Sequence, residues 1–157
     1  MNNNIFEYVK VINQKSKKAF DNISRSSSKD RNLAILNTSL IIKQKKEEIL
    51  QANKIDIGNA KQKNLTDAFV DRLFLNDKRM NDIINGLKKI AEMDDPIGIE
   101  LSRWKQPNGL DISRISVPLG IIGIIYESRP NVTIDAGSLC IKSGNTVILR
   151  GGSDSIN

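Results

Sequence analysis

Two short segments hold the residues of this sequence that could do chemistry. They are Tyr126 to Asn131 and "RGGSDS", Arg150 to Ser155. Glycines such as Gly151 and Gly152 let a backbone approach a ligand closely, and the guanidinium of Arg150 could hold a phosphate. The alternative is that the glycine pair only forms a turn. Since the dinucleotide fingerprint G-x-G-x-x-G does not occur in the sequence, the segment indicates a phosphate site without specifying its ligand.

Cysteine chemistry and metal binding are not expected. Cys140 is the single cysteine, and the sequence has no histidine. Cys140 lies between Leu139 and Ile141 in a predicted helix, with no basic side chain on that face to lower its pKa. We therefore interpret it as a small buried apolar residue rather than a nucleophile. With so few possible ligands no metal site is predicted, and a cysteine without an internal partner fits a reducing compartment.

A strand, a helix and a second strand must position the candidate residues. The apolar run "IIGIIY", Ile121 to Tyr126, is typical of a strand buried on both faces of a parallel sheet. A helix is predicted over Val132 to Ser143 with Gly144 as its left-handed cap, and Thr146 to Arg150 is the next strand. This order predicts a right-handed βαβ unit. Ligands bind at the carboxyl ends of such strands, which here are Tyr126 to Asn131 and Arg150 to Ser153.

The first part of the chain is predicted to be helical. One helix of about five turns has an apolar stripe of Ile5, Val9, Ile12, Ala19 and Ile23. A second begins after Ser27 or Ser28, runs to about Asn53 and has a stripe of Leu33, Leu36, Leu40 and Leu50. A short helix follows Thr66. A further helix starts near Asn76 and ends before Pro96, with Met80, Ile83, Leu87 and Ala91 facing inward.

The turn signal Pro107-Asn108-Gly109 between two strand-like segments predicts a β-hairpin. Isolated hairpins are marginally stable, so we expect this one to pack on something else, another subunit being a candidate. The predicted organisation is a helical region over residues 1–98, the hairpin over 99–118 and the start of a nucleotide-binding domain over 119–157.

Composition limits the class of protein. The chain has 157 residues, of which 39% are apolar and 27% charged, and its net charge is +6. Because acidic and basic residues are interspersed and few aromatic side chains could stack on bases, nucleic-acid binding is not expected. No apolar run is long enough to cross a bilayer, and the N-terminus lacks the apolar segment of a signal peptide. We predict a cytoplasmic protein without a membrane partner.

The segment "VPLGIIGIIYESRPNVTIDAGSLCIKSGNTVILRGG" resembles the gamma-glutamyl phosphate reductase family, or glutamate-5-semialdehyde dehydrogenases, within the aldehyde dehydrogenase superfamily. The upstream elements "AN..D", "DRL.L" and "DP.G" are also similar to that family. The resemblance implies an α/β fold with N-terminal helices, a protruding β-hairpin and the first βαβ unit of an aldehyde-dehydrogenase-like Rossmann domain. It also implies that the chain is the N-terminal portion of a longer enzyme.

The reaction that the resemblance implies is the NADPH-dependent reduction of L-glutamate 5-phosphate to L-glutamate 5-semialdehyde, in proline biosynthesis. A cysteine thiolate first displaces phosphate, and the nicotinamide then donates a hydride. In the family that cysteine belongs to a later domain, and no residue here matches it, so the chain alone is expected to be inactive. The resemblance further implies a homo-oligomer formed through the hairpin in the complete enzyme, and a functional coupling to glutamate 5-kinase.

The resemblance also assigns roles to residues of the two segments. It implies that Asn131 donates its amide to the developing oxyanion, although an asparagine directly before a helix is equally well explained as an N-cap. Arg129 would attract the carboxylate or acyl phosphate of the substrate, with an ion pair to Glu127 or Asp135 as the alternative. The predicted NADP-binding residues are Tyr126, Glu127, Ser128, Arg150, Gly151 and Gly152.

Two other functions stay open at this point. A single βαβ unit leaves sheet edges unpaired, so the chain could be a non-catalytic interaction protein whose partner supplies the missing strands. It could also belong to a related acyl-phosphate or aldehyde dehydrogenase with a different substrate.

Overall fold

A computed structural model describes the backbone of residues 2–157 and the side chains from residue 4 onward. The elements in chain order are α1 (Asn2–Ile23), α2 (Ser28–Gln44), α3 (Lys46–Gln62), α4 (Asp67–Leu73), α5 (Asp77–Glu92), β1 (Glu100–Lys105), β2 (Asp111–Ile115), β3 (Ile121–Ile125), α6 (Pro130–Lys142) and β4 (Thr146–Arg150). The strands form two separate pairs, one antiparallel (β1 and β2) and one parallel (β3 and β4). No helix in the described part of the chain has both the length and the apolar character needed to span a bilayer.

Helix α5 is the centre of the apolar core, as its spacing predicts. Asn76 caps it by accepting from the backbone N–H of Arg79, and the helix ends at Glu92, before Pro96. All four residues predicted to face inward are buried, and Met80 and Leu87 are each only 1% exposed. Full burial of such side chains stabilises the fold by about 1.5 to 3 kcal/mol each. The face of α5 that they form packs against α2 and α6.

Helix α2 differs from its prediction in both face and length. Ser27 is its N-cap, as expected, but the buried residues are Arg31, Ile35, Ser39 and Ile42. The predicted stripe is wrong, because Leu33 and Leu40 are 53% and 55% exposed. Apolar residues occur on both sides of this helix, and the buried side includes an arginine and a serine that a hydrophobic pattern excludes. The helix also ends at Gln44, and α3 is a separate helix that runs on to Gln62.

A buried polar cluster fixes the orientation of α2. The Arg31 side chain is 4% exposed and donates from Nε to the carbonyl of Lys142 (3.2 Å) and from Nη2 to Asp95 Oδ2 (2.6 Å). Lys142 Nζ donates to Asn32 Oδ1 (2.7 Å) and to the carbonyl of Ala91 (3.0 Å). Because these bonds join α2, α6 and the C-terminal end of α5, they explain why the Arg31 face of α2 is the buried one.

The predicted βαβ unit is present. Strands β3 and β4 pair in parallel from Ile121 opposite Thr146 to Ile125 opposite Arg150, and α6 connects them. Gly144 ends the connection with a φ of +68°, and a Cβ at that position would lie 2.7 Å from Ile97 Cδ1. Glycine is favoured there by its positive φ, and the absence of a Cβ also leaves room for the Ile97 side chain.

Strand β3 is not buried on both faces, so that prediction is wrong. Its residues alternate between exposed and half-buried, and Ile125 is 81% exposed. The physical reason is that α1 and α6 pack mainly on β4, which leaves residues of β3 such as Ile125 exposed.

The hairpin forms as predicted around Gly109, whose φ is +87°. Gly109 donates to the carbonyl of Gln106 and Gln106 donates to the carbonyl of Leu110, which closes the turn. All six residues of β1 are exposed, including Leu101 and Trp104. Packing of the hairpin on another subunit stays a prediction.

Candidate functional site

The two segments singled out in the sequence meet at the ends of β3 and β4. The backbone N–H of Tyr126 donates to the carbonyl of Arg150 at 3.1 Å, one step beyond the last paired residues of the parallel ladder. Parallel pairing therefore places Tyr126–Asn131 beside Arg150–Ser153, the juxtaposition on which the predicted site depends.

Close packing between these segments accounts for the glycine pair. A Cβ on Gly151 would lie 3.4 Å from the Tyr126 ring, and one on Gly152 would lie 2.5 Å from Ser128 Oγ. Ser128 itself is 3% exposed. A Cβ at position 152 would also lie 3.2 Å from the backbone N of Ser128, so glycine at this position lets the two strand ends approach closely.

Two clefts open beside the strand ends. The first has a volume of about 440 Å³ and lies between the α4–α5 region and the start of α6; it is lined by Asp71, Arg72, Phe74, Leu75, Arg79, Asp82, Ile83, Arg129, Pro130, Asn131 and Asp135. The second, of about 470 Å³, is more apolar and is lined by Tyr126, Thr133 and Gly151 together with residues of α2, α3 and α5. The Tyr126 hydroxyl is 2.5 Å from Thr133 Oγ1, so a hydrogen bond ties the ring to α6.

Asn131 lies in the first turn of α6 and is not its N-cap. The helix begins at Pro130, so Arg129 occupies the cap position and makes no capping bond with its side chain. Proline at the first helical position needs no N–H partner and fixes the helix start there. The N-cap interpretation of Asn131 is therefore wrong. Its amide instead donates to Asp135 Oδ2 at 3.2 Å, one turn further along the helix.

The basic residues around the first cleft differ in whether they are already paired. Arg79 pairs with Asp71 at 2.8 Å and also lies over the Phe74 ring, and Arg72 pairs with Glu127 at 3.5 Å. No ion pair among the described side chains includes Arg129 or Arg150, both of which are exposed. The alternative of an ion pair from Arg129 to Glu127 or Asp135 is therefore not realised.

Cys140 is buried in α6 and is 5% exposed. Burial raises the pKa of its thiol, because desolvation disfavours the thiolate. Since the thiolate is the reactive form, this environment makes Cys140 a poor nucleophile, in agreement with its interpretation as a packing residue.

The sequence did not predict the wall of the first cleft that α4 and α5 form. Asp71 and Arg72 come from α4, and Arg79 and Asp82 come from α5, far from the strand ends in sequence. The only available signal was the "DRL.L" element. Asp135 could have been found from its spacing, because residues four apart on a helix share a face with one another, as Asn131 and Asp135 do.

Comparison with known proteins gives a consistent result, although no protein-family model matches the chain. It is 50% identical over 144 residues, or 92% of its length, to the gamma-glutamyl phosphate reductase of Clostridium tetani. It is 48% identical over 153 residues, or 98% of its length, to the protein of the same name from Clostridium acetobutylicum. It spans 34% and 37% of these two relatives, or about a third of their length.

Solved structures agree with the sequence comparison. The crystal structure of gamma-glutamyl phosphate reductase from Thermotoga maritima matches with a TM-score of 0.87 at 42% identity, over 90% of this chain and 34% of that one. The yeast protein of the same name, from Saccharomyces cerevisiae, matches with a TM-score of 0.84 at 35% identity, over 92% of this chain and 37% of that one.

A more distant structure shows the fold alone. A protein described as a "probable aldehyde dehydrogenase" from Listeria monocytogenes matches with a TM-score of 0.63 at 15% identity, over 95% of this chain and 30% of that one. The predicted fold class, N-terminal helices with a hairpin and a βαβ unit of the aldehyde-dehydrogenase type, is confirmed. Over nearly its whole length the chain is therefore homologous to gamma-glutamyl phosphate reductases, and the family resemblance predicted from the sequence is confirmed.

Proposed function

We propose that this chain forms part of an NADPH-dependent gamma-glutamyl phosphate reductase, which reduces L-glutamate 5-phosphate to L-glutamate 5-semialdehyde and phosphate in proline biosynthesis. The observation that carries the proposal is the 50% identity to a relative of that name over 144 residues. In this proposal residues 1–98 are a helical region, residues 99–118 an oligomerisation arm, and residues 119–157 the start of the cofactor-binding domain.

The strand ends suit the phosphates of a nicotinamide cofactor. Arg150 is exposed at the end of β4 and has no carboxylate partner among the described side chains, so a ligand phosphate could neutralise it. Arg150 would then hold the adenosine ribose or its 2′-phosphate. The cofactor itself supplies the hydride that reduces the acyl carbon.

The other predicted cofactor-binding residues surround Arg150. Gly151 and Gly152 would present backbone N–H groups to the cofactor, while Tyr126 and Glu127 form the adjacent edge. Ser128 would act by packing on Gly152, because it is buried at 3% exposure.

Arg129 and Asn131 would act on the substrate in the first cleft. The exposed guanidinium of Arg129 would bind a carboxylate or the acyl phosphate. Asn131 has two amide hydrogens, and the structure uses one of them for Asp135. The other would donate to the oxyanion that forms at the acyl carbon, an interaction worth about 2.7 to 4 kcal/mol where such donors have been removed.

The reactive thiol would come from another part of the enzyme, since Cys140 is buried and the pKa of its thiol is raised by desolvation. The same proposal includes a homo-oligomeric, cytoplasmic enzyme that is functionally coupled to glutamate 5-kinase. The exposed strands of the hairpin are consistent with an arm that reaches another subunit.

A hybrid enzyme tests this function. Residues 1–157 would be joined to the segment that follows the matching region in the Clostridium tetani relative, and NADPH oxidation would be followed with L-glutamate 5-phosphate. We expect turnover, and we expect Asn131→Ala to lower kcat about 100- to 1000-fold while the fold is retained. A folded hybrid that reduces other acyl phosphates but not this one would end the substrate assignment.

A further inference from the structure

The first cleft contains two carboxylates that no cation of the described chain neutralises. Asp71 forms an ion pair with Arg79. Arg72 forms an ion pair with Glu127, which does not line the cleft. Asp82 and Asp135 also line the cleft, but neither belongs to any ion pair among the described side chains. These two carboxylates therefore give one part of the cleft an uncompensated negative charge.

The two carboxylates approach the cleft from facing helices. Asp135 on α6 is half-buried, and its Oδ2 accepts from the neutral amide of Asn131 at 3.2 Å. Its Oδ1 points toward α5, 3.8 Å from where a Cβ of Gly86 would be. Asp82 lies one helical turn before Gly86 on the same side of α5. A half-buried carboxylate with only a neutral partner gains from a cationic hydrogen-bond donor, so Asp135 favours a positively charged ligand group. Asp82 is exposed and adds a second negative charge on the same side of the cleft.

The cleft also has a cationic wall. Arg129 lines it at the start of α6, is exposed and forms no ion pair with the described residues. A ligand that pairs with both the aspartates and Arg129 must carry a positively charged group and a negatively charged group. A metal ion does not suit the acidic wall, because the described residues contain no group of three or more histidine, cysteine, aspartate or glutamate side chains that could hold one.

We propose that this cleft recognises the α-amino-acid end of the substrate, with Asp135 and Asp82 accepting hydrogen bonds from the α-ammonium and Arg129 binding the α-carboxylate. The inference rests on the proposed function, which supplies a substrate derived from glutamate. It adds that the enzyme selects for the amino group, and that Asp135 and Asp82 are specificity-determining residues. A substrate that lacks the α-amino group would leave both carboxylates unpaired and would bind poorly.

Binding of L-glutamate and glutarate to this chain tests the inference, because the two compounds differ only in the amino group. Affinities would be measured by NMR titration at pH 7. A lost charge-assisted hydrogen bond lowers affinity about 10-fold or more, so we expect L-glutamate to bind at least about 10-fold more tightly than glutarate. Asp135→Asn and Asp82→Asn should each weaken L-glutamate binding but should not weaken glutarate binding, because each removes a negative charge that repels the glutarate dianion.

Matched variants separate recognition from folding. Asparagine at position 135 can still accept the hydrogen bond from Asn131, so the first turn of α6 should be retained. Asp94→Asn removes the same charge from an exposed residue outside the cleft and should leave both affinities unchanged. Circular dichroism would verify that each variant is folded.

The inference is overturned if the chain binds the two compounds equally, binds neither, or loses both to the same extent in Asp135→Asn. Its failure is distinct from that of the proposed function. If the hybrid enzyme turns over L-glutamate 5-phosphate but the chain binds glutamate and glutarate equally, only the amino-group assignment is refuted. A chain that prefers glutamate, in a hybrid without reductase activity, would refute only the proposed reaction.

Discussion

Helix α5 and strand β3 are both rich in isoleucine, yet they end up in opposite environments. The inward residues of α5 are almost completely buried, with Leu87 at 1% exposure, whereas Ile125 at the end of β3 is 81% exposed. Helices α2 and α6 cover α5, while the described chain covers only part of the parallel strand pair. The comparison indicates that most of the stability comes from the packed helices. The ends of β3 and β4 are held in position by their attachment to these helices and stay open to a ligand.

The largest expected effect comes from removing a core side chain of α5. We expect Leu87→Ala to lower the free energy of unfolding by about 2 to 5 kcal/mol, because the substitution leaves a cavity in a packed core. Urea unfolding followed by circular dichroism measures this change. If the free energy of unfolding fell by no more than it does for an ordinary surface substitution, α5 would not be the centre of the core.

An intermediate effect is expected from the polar cluster that orients α2. Desolvation is the largest single influence on Asp95 and raises its pKa, but the backbone N–H of Ile97 and the guanidinium of Arg31 together lower that pKa below its ordinary value. A carboxylate with a lowered pKa stabilises the fold above its unfolded pKa of about 3.9, and this stabilisation is lost as pH falls through the folded value. Asp95→Asn should therefore reduce stability at pH 7 by about 1 to 3 kcal/mol, and the difference from wild type should shrink below about pH 4.

The hairpin provides the control for that prediction. The hydrogen bond from Arg103 lowers the pKa of Asp111, but this ion pair is exposed on the ribbon. Asp111→Asn should change the unfolding free energy less than Asp95→Asn at pH 7. Equal changes in unfolding free energy for the two variants at every pH would show that burial does not determine how much the Arg31 cluster stabilises the fold.

The smallest effect is expected on the exposed side of β3. Ile125→Thr keeps a β-branched side chain at a position that is 81% exposed, so the unfolding free energy should change by no more than about 0.5 kcal/mol. Unfolding would be measured at two protein concentrations. A large, concentration-dependent loss would show that a second copy of the chain covers this side of the strand.

The same contrast explains how much the sequence could predict. Helix α5 was predictable because its apolar residues occupy one side only, whereas α2 has apolar residues on two sides. The choice between those sides is made by Arg31, whose partners Asp95 and Lys142 lie far away in sequence. Burial of β3 was overestimated because an apolar run reports the composition of a strand, and composition does not show which of its faces the chain covers.

For the candidate site, local signals placed the strand ends but not the cleft beside them. The βαβ order and Gly144 were sufficient to bring Tyr126 next to Arg150. The wall formed by Arg79 and Asp82 depends on how α5 packs against α6, which no short segment encodes. The N-cap alternative for Asn131 could have been excluded from the sequence, since Pro130 directly before it favours an earlier helix start.

The contact between Gly152 and Ser128 also restricts how this region can evolve. A Cβ at position 152 would lie 2.5 Å from the serine hydroxyl and 3.2 Å from the backbone N of Ser128, so alanine there would require both the hydroxyl and the backbone to shift. The close approach is therefore a constraint mainly on position 152, because the backbone N at position 128 is present whatever residue occupies that position. A library that randomises position 152 would therefore return mostly glycine, whether or not position 128 is randomised with it.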